Sequence, residues 1–473
     1  MNYACSLLKR LLAAPLMAAP LALLCSSHSV LAAPSVILII GDGMDDQQIT
    51  IARNYLAGAQ GKLLMDELPL RAASQVLTVK EDGSTIYVAD SANSATSMAT
   101  GEITSRGRIS TSAGTDQPLT TIVELAEAAG LKTGLVSTAS VTDATPAAFV
   151  AHINMRYCEN PEAINGARIS TITLPDCPQY TAANGGAGSI SEQIAASDVD
   201  VVLGGGLKHF SMKAEASEQS VRQQAQANGF HVIDSADGLA TAPLDKKLLG
   251  LFSDSTMPVR LQGAGGRRAE TPKPSWANQV HRYLGSVELP AVMSCEANPQ
   301  FSGMPSLEEM TAVALQRLDN ERGFFLMVES ASIDKQSHER KPCGSIGELA
   351  QLNEALKVAL DYADKNPETL VLVTADHSQA AQLVPATSLF DAFGIPVYTP
   401  GHLARIVTDE GAILAVNYAT NNFSYEEHSG ANVPLFANSE GLGRVPSLVR
   451  QPEIFTIVRN YLFPHSEQIE AGE

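Results

Sequence analysis

Five short apolar runs, rich in β-branched residues, set the frame of this chain: Val36 to Ile40, Gly134 to Ser137, Val199 to Leu203, Phe324 to Val328 and Leu370 to Val373. Such runs suit strands buried on both faces, the condition of a parallel sheet. Helical patterns lie between them. One covers Leu119 to Ala129. A second starts at Ser306, where Glu309 completes a capping box, and runs to about Asp319. A third runs from about Ile346 to Asp364, with Leu349, Leu352, Leu356 and Leu360 on one face. This alternation predicts an α/β fold, a three-layer sandwich with a central, mostly parallel β-sheet flanked by helices.

The residues just after each run narrow the function. The first run leads into Gly41-Asp42-Gly43, the fourth into Glu329 and the fifth into Thr374-Ala375-Asp376-His377. The run ending near Ser137 leads to Asp143 and Thr145, and Val199 to Leu203 leads to Gly204-Gly205-Gly206, a plain turn. In open α/β sheets the site lies beyond the carboxyl ends of the strands. One acid after a strand is an ordinary turn or cap residue. Several such positions on one sheet edge are a cluster of repelling carboxylates, which implies bound cations.

Further ligand-type pairs fit that edge. Asp334 and His338 stand four apart and share one helical face, and carboxylate with imidazole suits zinc. Glu427-His428-Ser429-Gly430 adds a loop histidine. His152, on an apolar segment, reads as a structural histidine. Ser91, in Asp90-Ser91-Ala92-Asn93-Ser94-Ala95-Thr96, opens a small-residue helix that Gly101 closes, so backbone amides there would face an incoming anion. With no G-x-S-x-G elbow, a metal would have to activate the Ser91 hydroxyl. The Gly-, Arg- and Pro-rich stretch from Gln262 to Ser275 reads as a surface loop.

Composition limits the partners. The 51 acidic residues outnumber the 32 basic ones, giving a formal charge of -19, which disfavours nucleic acid and anionic membranes. Lys9 and Arg10, an apolar stretch from Leu11 to Leu24, and the small-residue end at Ala32-Ala33 read as a signal peptide over residues 1–33. The mature chain would be exported to a periplasmic or extracellular location. No other apolar run is long enough to span a membrane. Four cysteines then remain, Cys158, Cys177, Cys295 and Cys343. An even count in an exported chain favours disulfides, and of three possible pairings the nearest-neighbour one is expected.

The motifs together resemble the bacterial alkaline phosphatases of the secreted zinc/magnesium type. The resemblance runs from about Val36 to Leu462. It rests on Gly41-Asp42-Gly43-Met44, the Asp90 to Thr96 segment, Asp143 to Ala148, Glu329 to His338, Thr374 to His377, and Glu427 to Gly430. It implies two zinc ions and one magnesium per chain and a single catalytic domain over residues 34–473, with a modest insertion at 378–427. Asp334, His338 and His428 resemble the ligands of the first zinc. Asp42, Asp376 and His377 resemble those of the second, with Ser91 beside it as nucleophile. Asp42, Thr145 and Glu329 resemble the magnesium ligands. Arg156 matches the phosphate-binding arginine, and Asp143 and Lys335 match positions that tune phosphate binding and the magnesium site. The resemblance implies the same disulfide pairing.

The implied activity is hydrolysis of small phosphate monoesters through a phosphoserine at Ser91. Alternatives are a phosphodiesterase of the same superfamily and a non-catalytic phosphate- or metal-binding protein. A sulfatase is excluded because Ser91 is not followed by x-P-x-R. Three departures from the pattern stand out. Asp45 replaces a glycine and either faces outward or retunes metal binding. Asn93 stands where alanine is frequent. The N-terminal arm that helps such enzymes form a homodimer has no counterpart before the first strand.

Overall fold

The computed structural model describes residues 33–464, except 167, 170 and 171. The expected leader lies outside the described residues apart from Ala33, as does His465. Ten strands form the main sheet: β1 (Ser35–Gly41), β2 (Leu70–Gln75), β3 (Lys132–Ser140), β4 (Val201–Gly205), β5 (Phe230–Ile233), β6 (Lys247–Leu251), β7 (Phe324–Ser330), β8 (Thr369–Ala375), β9 (Val433–Ala437) and β10 (Leu448–Arg450). Their spatial order is β10-β2-β9-β8-β1-β7-β3-β4-β6-β5. From β8 to β5 every pairing is parallel, while β9 runs antiparallel to both β8 and β2.

Alternation along β1 shows why the fold has three layers. Val36, Leu38 and Ile40 point into one core, with helices α2 (Ser91–Thr100) and α6 (Gln451–Leu462). Ile37 and Ile39 point into the other, with α3 (Leu307–Leu318) and α5 (Pro342–Ala363). A strand buried on both faces needs apolar residues at every position, as the sequence supplies. Helix ends obey local chemistry. Ser306 and Glu309 form the expected box, Thr121 caps Ile122–Ala128, and Gly101 takes the left-handed φ of 79° at the end of α2.

Two local readings change. Gly204 and Gly205 continue β4, so the turn starts at Gly206. A Cβ on Gly205 would sit 1.9 Å from the Ser255 carbonyl oxygen, so close backbone approach explains that glycine. The Gln262 to Ser275 stretch is not all loop, because Leu261–Gly263 pairs with Cys295–Ala297.

Cys158 bonds Cys177 and Cys295 bonds Cys343, the expected pairing. Between residues 378 and 427, strands Gln382–Val384, His402–Val407 and Ile413–Tyr418 form a small antiparallel sheet. It packs against α1 (Asp46–Leu56). No helix among the described residues is long and apolar enough to cross a membrane.

Candidate active site

Register places the acids. In the parallel ladder Gly41 lies opposite Ala375, so Asp42 and Asp376 emerge at one level, and Ile40 lies opposite Glu329, which places that acid two residues before them on the neighbouring strand. Glu329 in turn lies opposite Ser137 of β3, whose hydroxyl donates to its carboxylate. Asp376 accepts hydrogen bonds from the amides of Gly43 (2.9 Å) and His377 (2.8 Å), which fixes one of its oxygens. Gly43 has φ 68°, and a Cβ there would lie 3.1 Å from that of Asp334. Glycine thus lets α4 (Ser332–His338) approach the end of β1.

Asp334 and His338 do share one face of α4. His338 Nε2 lies 3.2 Å from Asp334 Oδ2 and 3.0 Å from His428 Nε2, and His428 Nε2 lies 3.4 Å from Asp334 Oδ1. The loop carrying His428 is tied to the end of α4. The Glu426 amide donates to the His338 carbonyl at 3.0 Å, and Arg340 Nε donates to the buried Glu426 carboxylate at 2.6 Å. His377 stacks on His428 with ring centroids 3.7 Å apart, and its Nε2 lies 3.4 Å from both Asp42 and Asp376.

The three imidazoles are oriented alike. Nδ1 of His338 faces the Glu426 carbonyl, that of His428 the Ala89 carbonyl, and that of His377 the Ser378 carbonyl. A carbonyl only accepts, so each Nδ1 carries the proton and each Nε2 lone pair faces the carboxylates, as metal-ligating histidines are held. Asp42, Asp376 and His377 form one group with ligand atoms within 4.8 Å, and Asp334, His377 and His428 form another.

Electrostatics points the same way. Burial, then repulsion from Asp334, Asp376 and Glu329, pushes the Asp42 carboxyl well above its usual range. Burial raises Asp376 to about 6 and Glu329 to about 8. Asp334 is the exception in the cation-free chain, where the protonated forms of His338 and His428 overcome its burial and hold it low; a bound cation would take the place of those protons. Burial, then His428, keeps His377 neutral, the form a metal needs. Asp42 Oδ1, Asp376 Oδ2 and Thr145 Oγ1 are buried without a hydrogen-bond partner. Such atoms cost on the order of 1–3 kcal/mol each unless something satisfies them. Orphaned oxygens and inward lone pairs together fit divalent cations.

Ser91 sits at the first position of α2, with Asp90 as the cap, so the expected N-terminal placement holds one residue along. Its Oγ lies 3.2 Å from His377 Nε2. Arg156 is clamped between Asp90 (3.2 Å) and Asp143 (2.9 Å), and Lys335 pairs with the other oxygen of Asp143. Those two cations hold Asp143 well below the usual carboxylate range despite its burial. Thr145 follows Asp143 in the short helix Ala144–Ala147, which packs against β7. The Cys158–Cys177 bridge anchors the chain two residues after Arg156. An open cleft of about 370 Å3 is lined by Ser91, Arg156, Asp334, His338 and His428 together.

Asp45 faces neither outward nor a metal group. It is buried, caps α1 through the amides of Gln47 and Gln48, and accepts from the Gln379 amide at 3.2 Å. Gln379 donates to Asp334, so Asp45 braces a neighbour of the site. Asn93 completes the cap of α2, accepting from the Asp90 amide at 2.9 Å. His152 is satisfied by the Ser110 carbonyl and Glu124, as a structural histidine should be. Sequence patterns do not disclose that Asp90 orients Arg156, although its place before Ser91 is visible in them. Nor do they disclose Ser137, Gln379 and Tyr425, whose ring stacks on His338. These carry no spacing signal.

The sequence profile of the alkaline phosphatase family matches residues 33–432. The chain is 41% identical over 434 residues to the alkaline phosphatase of Escherichia fergusonii, spanning 89% of this chain and 84% of that one. It is 39% identical to the streptomycin-6-phosphate phosphatase of Streptomyces griseus over 90% of each chain. The solved alkaline phosphatase of Thermus thermophilus superposes with a TM-score of 0.64 at 21% identity, over 92% of this chain and 94% of that one, which is a likeness of fold. With these relatives, and with metal-ligating groups converging beyond a parallel sheet, the chain belongs to the alkaline phosphatase family, metal-dependent hydrolases of phosphate monoesters.

Proposed function

We propose that the chain is an exported phosphomonoesterase that acts through a phosphoserine at Ser91, with two zinc ions and one magnesium. The observation that carries this reading is the set of orphaned ligand oxygens on Asp42, Asp376 and Thr145, with the Ser91 hydroxyl against His377, whose Nε2 faces the first two. Asp334, His338 and His428 would hold one zinc and Asp42, Asp376 and His377 the other. Asp42, Thr145 and Glu329 would hold magnesium. When bound, such cations supply the charge that favours an ionised nucleophile and a departing alkoxide.

The chain's own residues supply the rest. Arg156 gives one N–H of each terminal nitrogen to Asp90 and Asp143, which leaves each a second N–H for a non-bridging phosphate oxygen. Those carboxylates therefore aim the fork. Lys335 adds positive charge that suits the dianion of a monoester better than the monoanion of a diester. Ser91 Oγ forms a bond to phosphorus as the bond to the alcohol oxygen breaks, and water then cleaves the phosphoserine to inorganic phosphate. Residues 1–33 are assigned as a cleaved leader and residues 34–473 as the catalytic unit, and the two disulfides suit an oxidising compartment.

Steady-state kinetics on a phosphate monoester and a diester, with and without chelator, test this. The monoester should be strongly preferred, with activity lost to chelator and restored by zinc and magnesium. A faster diester, or activity indifferent to chelation, overturns the reading.

A further inference from the structure

The groups that grip phosphate account for the floor of the cleft and leave its rim unexplained. Tyr157 and Tyr425 line the same cleft as Ser91, and they remain 45% and 47% exposed. Tyr425 lies flat on His338, with ring centroids 4.1 Å apart and planes 15° from parallel. One face is thereby fixed and the ring is held in place before any ligand arrives, which lowers the cost of binding against it. The cleft, at about 370 Å3, is in the size range of small-molecule sites and has room beyond the phosphoryl group. Its rim also carries the exposed side chains of Arg106 and Glu427. Their opposite charges leave no surplus to attract a second anionic group.

We propose that Tyr157 and Tyr425 form a leaving-group subsite for a flat, uncharged aromatic ring, so that the enzyme favours phosphomonoesters of aryl-bearing alcohols over those of small aliphatic alcohols. Aromatic rings gain from offset or edge contacts with one another beyond the area they bury. The guanidinium of Arg106 adds a cation that attracts a ring face. This inference rests on the monoesterase reading and deepens it.

Benzyl phosphate and ethyl phosphate form a suitable pair for the metal-loaded enzyme, because both release primary alcohols of similar basicity. The ratio of their kcat/KM values then reads the ring contact. The wild type should favour the benzyl ester by roughly three- to tenfold, the size of one aromatic contact. Tyr157→Leu and Tyr425→Leu should each bring the ratio toward one, while Tyr→Phe at either position should keep it. Tyr425 also packs on His338, so Tyr157→Leu is the cleaner variant and metal content is measured for both. Competitive inhibition by benzylphosphonate and ethylphosphonate should show the same preference without turnover. A ratio near one in the wild type, or a preference that survives both Leu variants, overturns the subsite. Failure to hydrolyse either ester, with the phosphonate preference intact, would instead overturn the monoesterase reading.

Discussion

Asp42 and Glu348 are both buried carboxylates near the carboxyl ends of the central strands, and they meet burial in opposite ways. Glu348, on α5, accepts from the Thr138 hydroxyl at 2.9 Å, the Ser330 hydroxyl at 3.3 Å and the Gln351 amide at 2.8 Å. Neutral donors from β3, β7 and its own helix satisfy both oxygens. Asp42 leaves one oxygen with no partner and faces Asp334, Asp376 and Glu329. Burial raises the pKa of each, but in Asp42 repulsion by neighbouring acids adds to it, whereas the hydrogen bonds around Glu348 oppose it. The first arrangement ties elements together and is complete within the chain. The second is incomplete within the chain and asks for cations.

The largest effects should come from the incomplete cluster. Asp42→Ala should lower kcat/KM by about 10³-fold or more, because it removes the carboxylate proposed above to be shared between two metals. Metal analysis should show ions lost, while the chelated protein should be no less stable than wild type, since repulsion has been relieved. A clear loss of stability in that chelated variant would place Asp42 with Glu348 as a structural acid. Ser91→Ala should cost turnover on a similar scale, about 10³-fold or more, with metal content unchanged. Near wild-type turnover in that variant would remove Ser91 as nucleophile.

The pH dependence should separate the two states of the cluster. Folded-state values of about 8 for Glu329 and about 6 for Asp376 stand above ordinary carboxylate values, so the folded chelated protein binds more protons than the unfolded chain. The stability these two groups contribute should therefore be fullest near pH 4, above the range where Asp143 and Asp334 act in the opposite sense, and be lost as pH rises through about 4 to 8. The metal-loaded enzyme should show the opposite slope over that interval, because its ligands must be deprotonated to bind. Denaturant titrations at several pH values check the sign. The smallest effect belongs to the complete cluster. Glu348→Ala should cost about 1–3 kcal/mol in both loaded and chelated protein by leaving donors unpaired, and Glu348→Gln should cost less. Thermal melts with parallel metal analysis would show it, with bound metal retained.

Part of this was legible because it is local. The runs at Val36, Phe324 and Leu370 were readable as strands since burial on both faces demands an unbroken apolar segment. The edge strands were not. Leu70–Gln75 contains Arg71, Ser74 and Gln75 and alternates buried with exposed residues, so nothing in six residues separates it from a loop. Asp334 with His338 was readable from helical spacing, and Asp376 with His377 from the strand before them. Gln379 and Ser137 orient ligands only because distant segments meet, Gln379 at Asp334 and Ser137 at Glu329.

Local sequence thus specifies the sheet's central strands, the helix caps and the ligand types at the strand ends, because each depends on periodicity or on neighbours within a few residues. Only folding settles that Asp45, besides its local cap, turns inward to brace Gln379, that Arg156 is aimed by Asp90 and Asp143, and that three imidazoles point Nε2 the same way. Nearly all of those hydrogen-bond partners are distant in the chain. The register of the parallel sheet brings them together, and composition does not encode it.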